Sequence, residues 1–118
     1  MRDARSNLDR YRASTTEAQM QAAIAGLVTM RGGKLYHVRD SSKSPELEHL
    51  PDLIILDPRA ARVIFAELKS QSRTVTLGQA AVMQMLAECN RFESAIVRPS
   101  PKPGELSYDA FMRWLGEG

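Results

Sequence analysis

Among its 118 residues the chain has one cysteine, Cys89. A lone thiol closes no internal disulfide, so the fold needs no oxidising compartment. With only His37 and His49 beside it, a Cys/His metal cluster is not expected. Aromatic residues make up 6% of the chain, and they form no series on which successive bases would stack. No stretch approaches the roughly 20 apolar residues of a membrane span, so no membrane partner is expected. The opening "MRDARSNLDRYR" has no apolar core behind its arginines, which argues against a secretory signal. These features together point to an intracellular, cytoplasmic protein. Net charge is also small, at +2. Whole-molecule charge is therefore a weak argument for nucleic acid, and its distribution matters more.

What is present suits one domain spanning residues 1–118, with 43% hydrophobic and 25% charged residues. Residues 1–13 carry Arg2, Arg5, Arg10 and Arg12 and read either as a mobile or loosely docked basic arm or as a solvated first helical turn. In "STTEAQMQAAIAGLVTM", Ser14 with Glu17 or Thr16 with Gln19 gives a capping-box spacing. Met20, Ile24 and Leu27 then recur on one helical face until Gly32-Gly33 stops the helix. "KLYHV" predicts a strand, and two apolar runs at 53–56 and 63–68 predict a hairpin joined by "DPRAA". Because both runs are apolar on both faces, both faces of the sheet are expected to be covered. Thr76 and Gln79 repeat the capping spacing before a second helix with Val82, Met83, Leu86 and Cys89 on its apolar face. "SAIV" predicts a further strand, and "SYDAFMRWL" a last helix packing Tyr108, Phe111, Met112 and Leu115. The expected order is α-β-β-β-α-β-α, a mixed sheet flanked by helices.

The hairpin places charges where a core should form. Asp52 precedes the first run, and Glu67 and Lys69 end the second. Alternation turns Glu67 and Lys69 to one face, with Leu68 opposite. If 53–56 pairs with 63–66, Asp52 and Glu67 meet at the same end. Buried charges persist when paired or bound to metal. Two neighbouring carboxylates suit a hard divalent cation such as Mg²⁺, which activates water and neutralises phosphate charge. A nearby ammonium can orient that water or balance the developing charge. Phosphodiester hydrolysis is the chemistry these three groups suggest. The competing reading makes Asp52 a strand start and Glu67 with Lys69 a surface ion pair at a sheet edge.

"PD" at Pro51-Asp52, followed after about fifteen residues by "ELK" at Glu67-Leu68-Lys69, resembles the PD-(D/E)XK nuclease superfamily. More narrowly the chain resembles the VRR-NUC family over nearly all of residues 14–115, through "TEAQ", "LPDLIIL", "ELKSQSRTVTLGQ" and "VRPSPKPGEL". The family includes small stand-alone nucleases of phage replication and repair. The resemblance implies a restriction-endonuclease-like αβββαβ core with an extra C-terminal helix, and Mg²⁺ or Mn²⁺ as cofactor. It implies that Asp52, Glu67 and the Leu68 backbone carbonyl hold the metal, and that Glu17 reaches it directly or through water. Lys69 would activate the attacking water, and Gln79 would contact the scissile phosphate or support the site. Glu17 has a competing role as the N3 partner of a helix cap, and Gln79 has a cap role that excludes nothing. The family often carries glycine before the PD, where this chain has Leu50. His37 is expected to pack within its strand, and Cys89 to be a small buried hydrophobe.

Phosphate contacts would come from Lys34, Arg39 and Lys43 before the catalytic hairpin and from Arg73 after it. The resemblance further implies a homodimer acting on branched or double-stranded DNA, four-way junctions included, with two sites in two-fold symmetry. The last helix, with Phe111 and Trp114, is either a dimer interface or a cap on the chain's own core. The alternative function is a DNA-binding module that keeps the fold without catalysis.

Overall fold

In the computed structural model, which describes residues 10, 12–38, 48–89 and 93–117, the first helix begins at the second of its two candidate caps. Thr16 Oγ1 accepts the Gln19 N–H at 3.0 Å, and Gln19 Oε1 accepts the Thr16 N–H at 2.8 Å. Helix α1 therefore spans Glu17–Met30, and Glu17 is its first residue, not the N3 member of a box. It ends at Arg31 and Gly32, the latter at φ +76°. The chain then turns so tightly that a Cβ on Gly33 would fall 2.3 Å from the Leu56 carbonyl oxygen.

Strand β1 (Lys34–His37) leads to β2 (Leu53–Asp57), a 3-10 turn (Pro58–Ala60) and β3 (Arg62–Leu68). Helix α2 (Leu77–Glu88), β4 (Glu93–Arg98), β5 (Leu106–Ser107) and α3 (Tyr108–Glu117) complete the order. The two-residue β5, between "RPSPKPGE" and the last helix, was not legible as a strand. The sheet runs β1-β2-β3-β4-β5. β1–β2 and β2–β3 are antiparallel, and β3–β4 and β4–β5 are parallel. The expected mixed α/β architecture with flanking helices is present.

The hairpin register pairs Leu53 with Ala66 and Ile55 with Ile64. Period-two alternation puts these four residues and Leu68 on one face, where all are buried with Met20, Ile24 and Val28 of α1 and Phe111 and Leu115 of α3. Each large apolar side chain so buried contributes roughly 1.5–3 kcal/mol relative to exposure. The opposite face is covered only in part. Helix α2 packs against β4, while Leu56 and Tyr36 stay 38% and 48% exposed. The expectation that both faces are covered fails at the β1–β2 side. Cys89 also differs from expectation: it caps the end of α2 in an extended conformation and is exposed.

Helix α3 is a cap on the chain's own core. Phe111 and Leu115 are fully buried, and Trp114 packs beside Phe111 with Arg62 4.2 Å above its ring. Phe111 therefore has no surface to offer a dimer. At the turn end of the hairpin, buried Asp57 accepts from Arg31 Nη2 at 3.0 Å and Arg62 Nε at 2.9 Å. Both guanidinium groups also donate to the last carbonyls of α3, at Gly116 and Leu115. Of the basic arm, Arg10 and Arg12 are described and both are helical, as the first-turn reading has it; Arg10 is exposed, and Arg12 pairs with Asp109 of α3 at 3.4 Å. Arg2 and Arg5 lie outside the described residues. No helix among the described residues is long and apolar enough to cross a membrane.

Candidate active site

Extending the β2–β3 register by one residue beyond Leu53–Ala66 sets Asp52 opposite Glu67. Both side chains then lie on the face opposite Leu53, and Lys69, two residues on, shares it. Glu67 and Lys69 are 1% and 3% exposed, and Lys69 Nζ lies 3.2 Å from Glu67 Oε2. β3 is flanked on both sides by β2 and β4. This ion pair is thus interior, and the sheet-edge surface reading does not hold. The Lys69 backbone N–H donates to the Val97 carbonyl at 2.9 Å, fastening the strand end to β4.

The neighbouring groups come from both helices. Gln79 Nε2, in the first turn of α2, donates to Glu67 Oε2 at 3.4 Å. Asp52 Oδ2 accepts the Leu68 N–H at 3.1 Å. A strand residue turns its N–H and C=O to the same neighbour, so the Leu68 carbonyl belongs to the Asp52 side. Glu17 Oε2 accepts the Ser70 N–H at 3.3 Å and lies 3.9 Å from Arg73 Nη1. Glu17 also shares with Asp52, Leu68, Gln21 and His37 a cleft of about 250 Å³. His37 is exposed on that cleft instead of being packed within its strand.

Burial raises the Glu67 carboxyl from 4.5 to about 7, and the Asp52 charge adds to the rise while Lys69 opposes it. A buried carboxylate and ammonium with a second, half-buried carboxylate beside them form a site that a further cation would relieve. Among the described residues, no group of three His, Cys, Asp or Glu side chains stands close enough to hold a metal ion. The donor set that fits is smaller: Asp52, Glu67 and the Leu68 carbonyl, with Glu17 across the cleft. Mg²⁺ and Mn²⁺ accept one or two carboxylates and fill the remaining positions with water or substrate oxygen, so oxygen donors of this number suit them.

The candidate phosphate-binding residues divide. Arg73 stands beside Glu17 with its side chain 65% exposed. Lys34 is on β1 paired with Leu56, at the turn end of the hairpin, where it lines a separate cavity of about 620 Å³ with Asp57 and Arg62. It does not flank Asp52, because an antiparallel strand entering from Gly33 starts at the far end. Arg39 and Lys43 lie outside the described residues.

Arg98 is the supporting residue that the sequence reading passed over. It is fully buried, and Nε and Nη2 meet Glu105 at 2.7 and 3.0 Å. Nη1 donates to the Ser70 carbonyl at 3.1 Å and to that of Arg73. The loop that follows Lys69 is thereby tied to the end of β4. An arginine directly after the apolar run "AIV", with a glutamate past the prolines, was the available signal.

Comparison with known proteins finds no match to any family model, curated protein or solved structure.

Proposed function

We propose that the chain is a divalent-metal-dependent deoxyribonuclease of the PD-(D/E)XK kind, similar to the VRR-NUC family, that hydrolyses phosphodiester bonds in branched DNA such as four-way junctions. The observation that carries this reading is the meeting of Asp52, Glu67 and Lys69 at one end of the hairpin, with the last two buried. Placing an acid and a lysine in the interior of a small domain, with a second acid beside them, is unfavourable unless they serve a purpose. The helix–three strands–helix–strand order, with β3 and β4 parallel, supports a nuclease-like core.

Asp52, Glu67 and the Leu68 carbonyl would hold Mg²⁺ or Mn²⁺, with Glu17 reaching it directly or through water. When bound, the ion supplies Lewis acidity toward the phosphate and lowers the pKa of coordinated water. Lys69, held at Glu67, aims its ammonium at the attacking water and at charge developing on the phosphoryl oxygens. Gln79 fixes the Glu67 carboxylate, as groups behind a metal ligand do. Arg73, exposed at the rim, serves a neighbouring phosphate and positions the backbone without reading sequence. A homodimer would place two such sites in two-fold symmetry, suited to paired nicks on opposing strands.

The test is incubation of end-labelled linear duplex, flap, fork and four-way junction with Mg²⁺ or Mn²⁺, beside an EDTA control. Symmetric nicks confined to the junction, lost in EDTA, are expected. Asp52→Asn and Lys69→Ala should lower cleavage by at least about 100-fold while junction affinity in EDTA is kept. Binding without cleavage of any substrate would leave a non-catalytic DNA-binding module.

A further inference from the structure

His49 has a backbone φ of +65°, in the left-handed region where a side chain crowds the backbone and glycine is the usual occupant. It lies three residues before Asp52. Its imidazole rests on Gly78, so closely that a Cβ there would fall 2.4 Å from Cε1 and Nε2 and 2.5 Å from Nδ1. Helix α2 approaches the turn before β2 this closely because position 78 has no side chain. Glu48 Oε1 meets the ring at Nε2, 3.3 Å away.

Two positions are therefore fitted to one contact. A histidine occupies a glycine-like conformation, and the second residue of α2 is a glycine where any side chain would meet the ring. Strained backbone such as that at His49 clusters where a site must be held in shape. Here the two residues join the turn that delivers Asp52 to the first turn of α2, whose next residue, Gln79, donates to Glu67.

We propose that His49 is a positioning residue of the active site: its imidazole is the spacer that seats the start of α2 against the Asp52 turn, and so holds the Gln79 amide on Glu67. The catalytic consequence rests on the nuclease reading. The packing relationship does not.

A double-mutant cycle tests it, with His49→Gly, Gly78→Ala and the two combined. Glycine at 49 suits the positive φ and removes the ring, whereas alanine at 78 puts a methyl where the ring lies. Each single variant should lower kcat on a four-way junction with Mn²⁺ by about ten- to a hundredfold, with KM unchanged. The double variant should be no worse than His49→Gly alone, because the methyl then enters vacated space. Losses that multiply, or single variants with wild-type kcat, would overturn the proposal. The side-chain amide resonances of Gln79 in metal-free protein give a second readout that needs no cleavage. They should shift in both single variants, and unshifted resonances sink the inference. If the wild type cuts no DNA, the nuclease reading fails while these resonances still decide the role of His49.

Discussion

Gln79 holds Glu67 with one end of its amide and closes the cap of α2 with the other. Nε2 donates to Glu67 Oε2 at 3.4 Å, and Oε1 accepts the Thr76 N–H at 3.1 Å. The capping box and the candidate site share a side chain, and the cap fixes which end of the amide faces the acid. Gln79→Glu should separate the two roles. Glutamate serves a capping box as well as glutamine, so α2 should stay intact by far-ultraviolet circular dichroism. The donor to Glu67 is replaced by a like charge, and cleavage should fall about 10- to 100-fold. A variant that keeps full activity would show that the contact to Glu67 is incidental.

Glu67 makes the site a source of pH-dependent instability when no metal is bound. Burial, then the charge on Asp52, lifts its carboxyl from 4.5 to about 7, against the pull of Lys69. A folded-state value above the unfolded one favours folding below pH 4.5, and that contribution fades as pH rises through about 7. Metal-free Glu67→Gln should therefore melt higher than wild type at pH 8, with little difference at pH 5. Mn²⁺ should raise the wild-type melting temperature most at the higher pH, because it binds the ionised acid. The variant should lose most of that response. Calorimetry at the two pH values, with EDTA and with Mn²⁺, decides it: equal melting in EDTA at pH 8 and no response to Mn²⁺ in wild type would refute the account.

Much of this arrangement was legible in the sequence. Asp52, Glu67 and Lys69 were visible because charges at the ends of apolar runs conflict with core formation, and a hairpin of that length brings the ends together. Both helix caps were legible through spacing alone, although choosing Thr16–Gln19 over Ser14–Glu17 needed the hydrogen bonds themselves. His37, Lys34 and Arg98 were misread or missed for one reason. Their surroundings are set by partners distant in sequence: Glu17 and Asp52 across the cleft, Leu56 across the sheet, and Ser70 and Glu105 around the guanidinium. Local periodicity carries no information about such partners. β5 was missed because two residues have no period.

The Arg98–Glu105 pair should be required for both stability and cleavage. Arg98 is fully buried, and its hydrogen bond, aided by its charge, holds the Glu105 carboxyl below its usual range against the effect of burial. Glu105→Gln leaves the guanidinium in the interior without its counter-charge, which should lower stability by about 3–5 kcal/mol. Arg98→Met removes the charge, but it releases the Ser70 and Arg73 carbonyls and unpairs Glu105. Chemical denaturation should rank both variants well below wild type. Arg98→Met should also lose more activity than Glu105→Gln at a temperature where both are folded, since it alone unties the loop after Lys69. The reverse order of activity would mean that the loop does not depend on this anchor.

At the opposite end of the hairpin, Asp57 should set the acid limit of the fold. It is 2% exposed. Burial alone would raise its carboxyl, yet hydrogen bonds from Arg31 and Arg62, with their charges, bring it below 3.8. A folded-state value below the unfolded one adds stability above about pH 3.8, and that stability is lost as pH falls toward the folded value. Protonation would also loosen both guanidinium groups from the hairpin while they remain bonded to the end of α3. Asp57→Asn keeps the shape but removes the charge, and should lower stability at pH 7 by about 3–5 kcal/mol, as expected when one member of a buried network is neutralised. The variant should then lose less stability than wild type between pH 5 and pH 3, because the titrating group is gone. Denaturant midpoints across that range measure both effects. A slope as steep in the variant as in wild type would place the acid sensitivity on another carboxyl, with Glu105 the next to replace because its value is lowered in the same way.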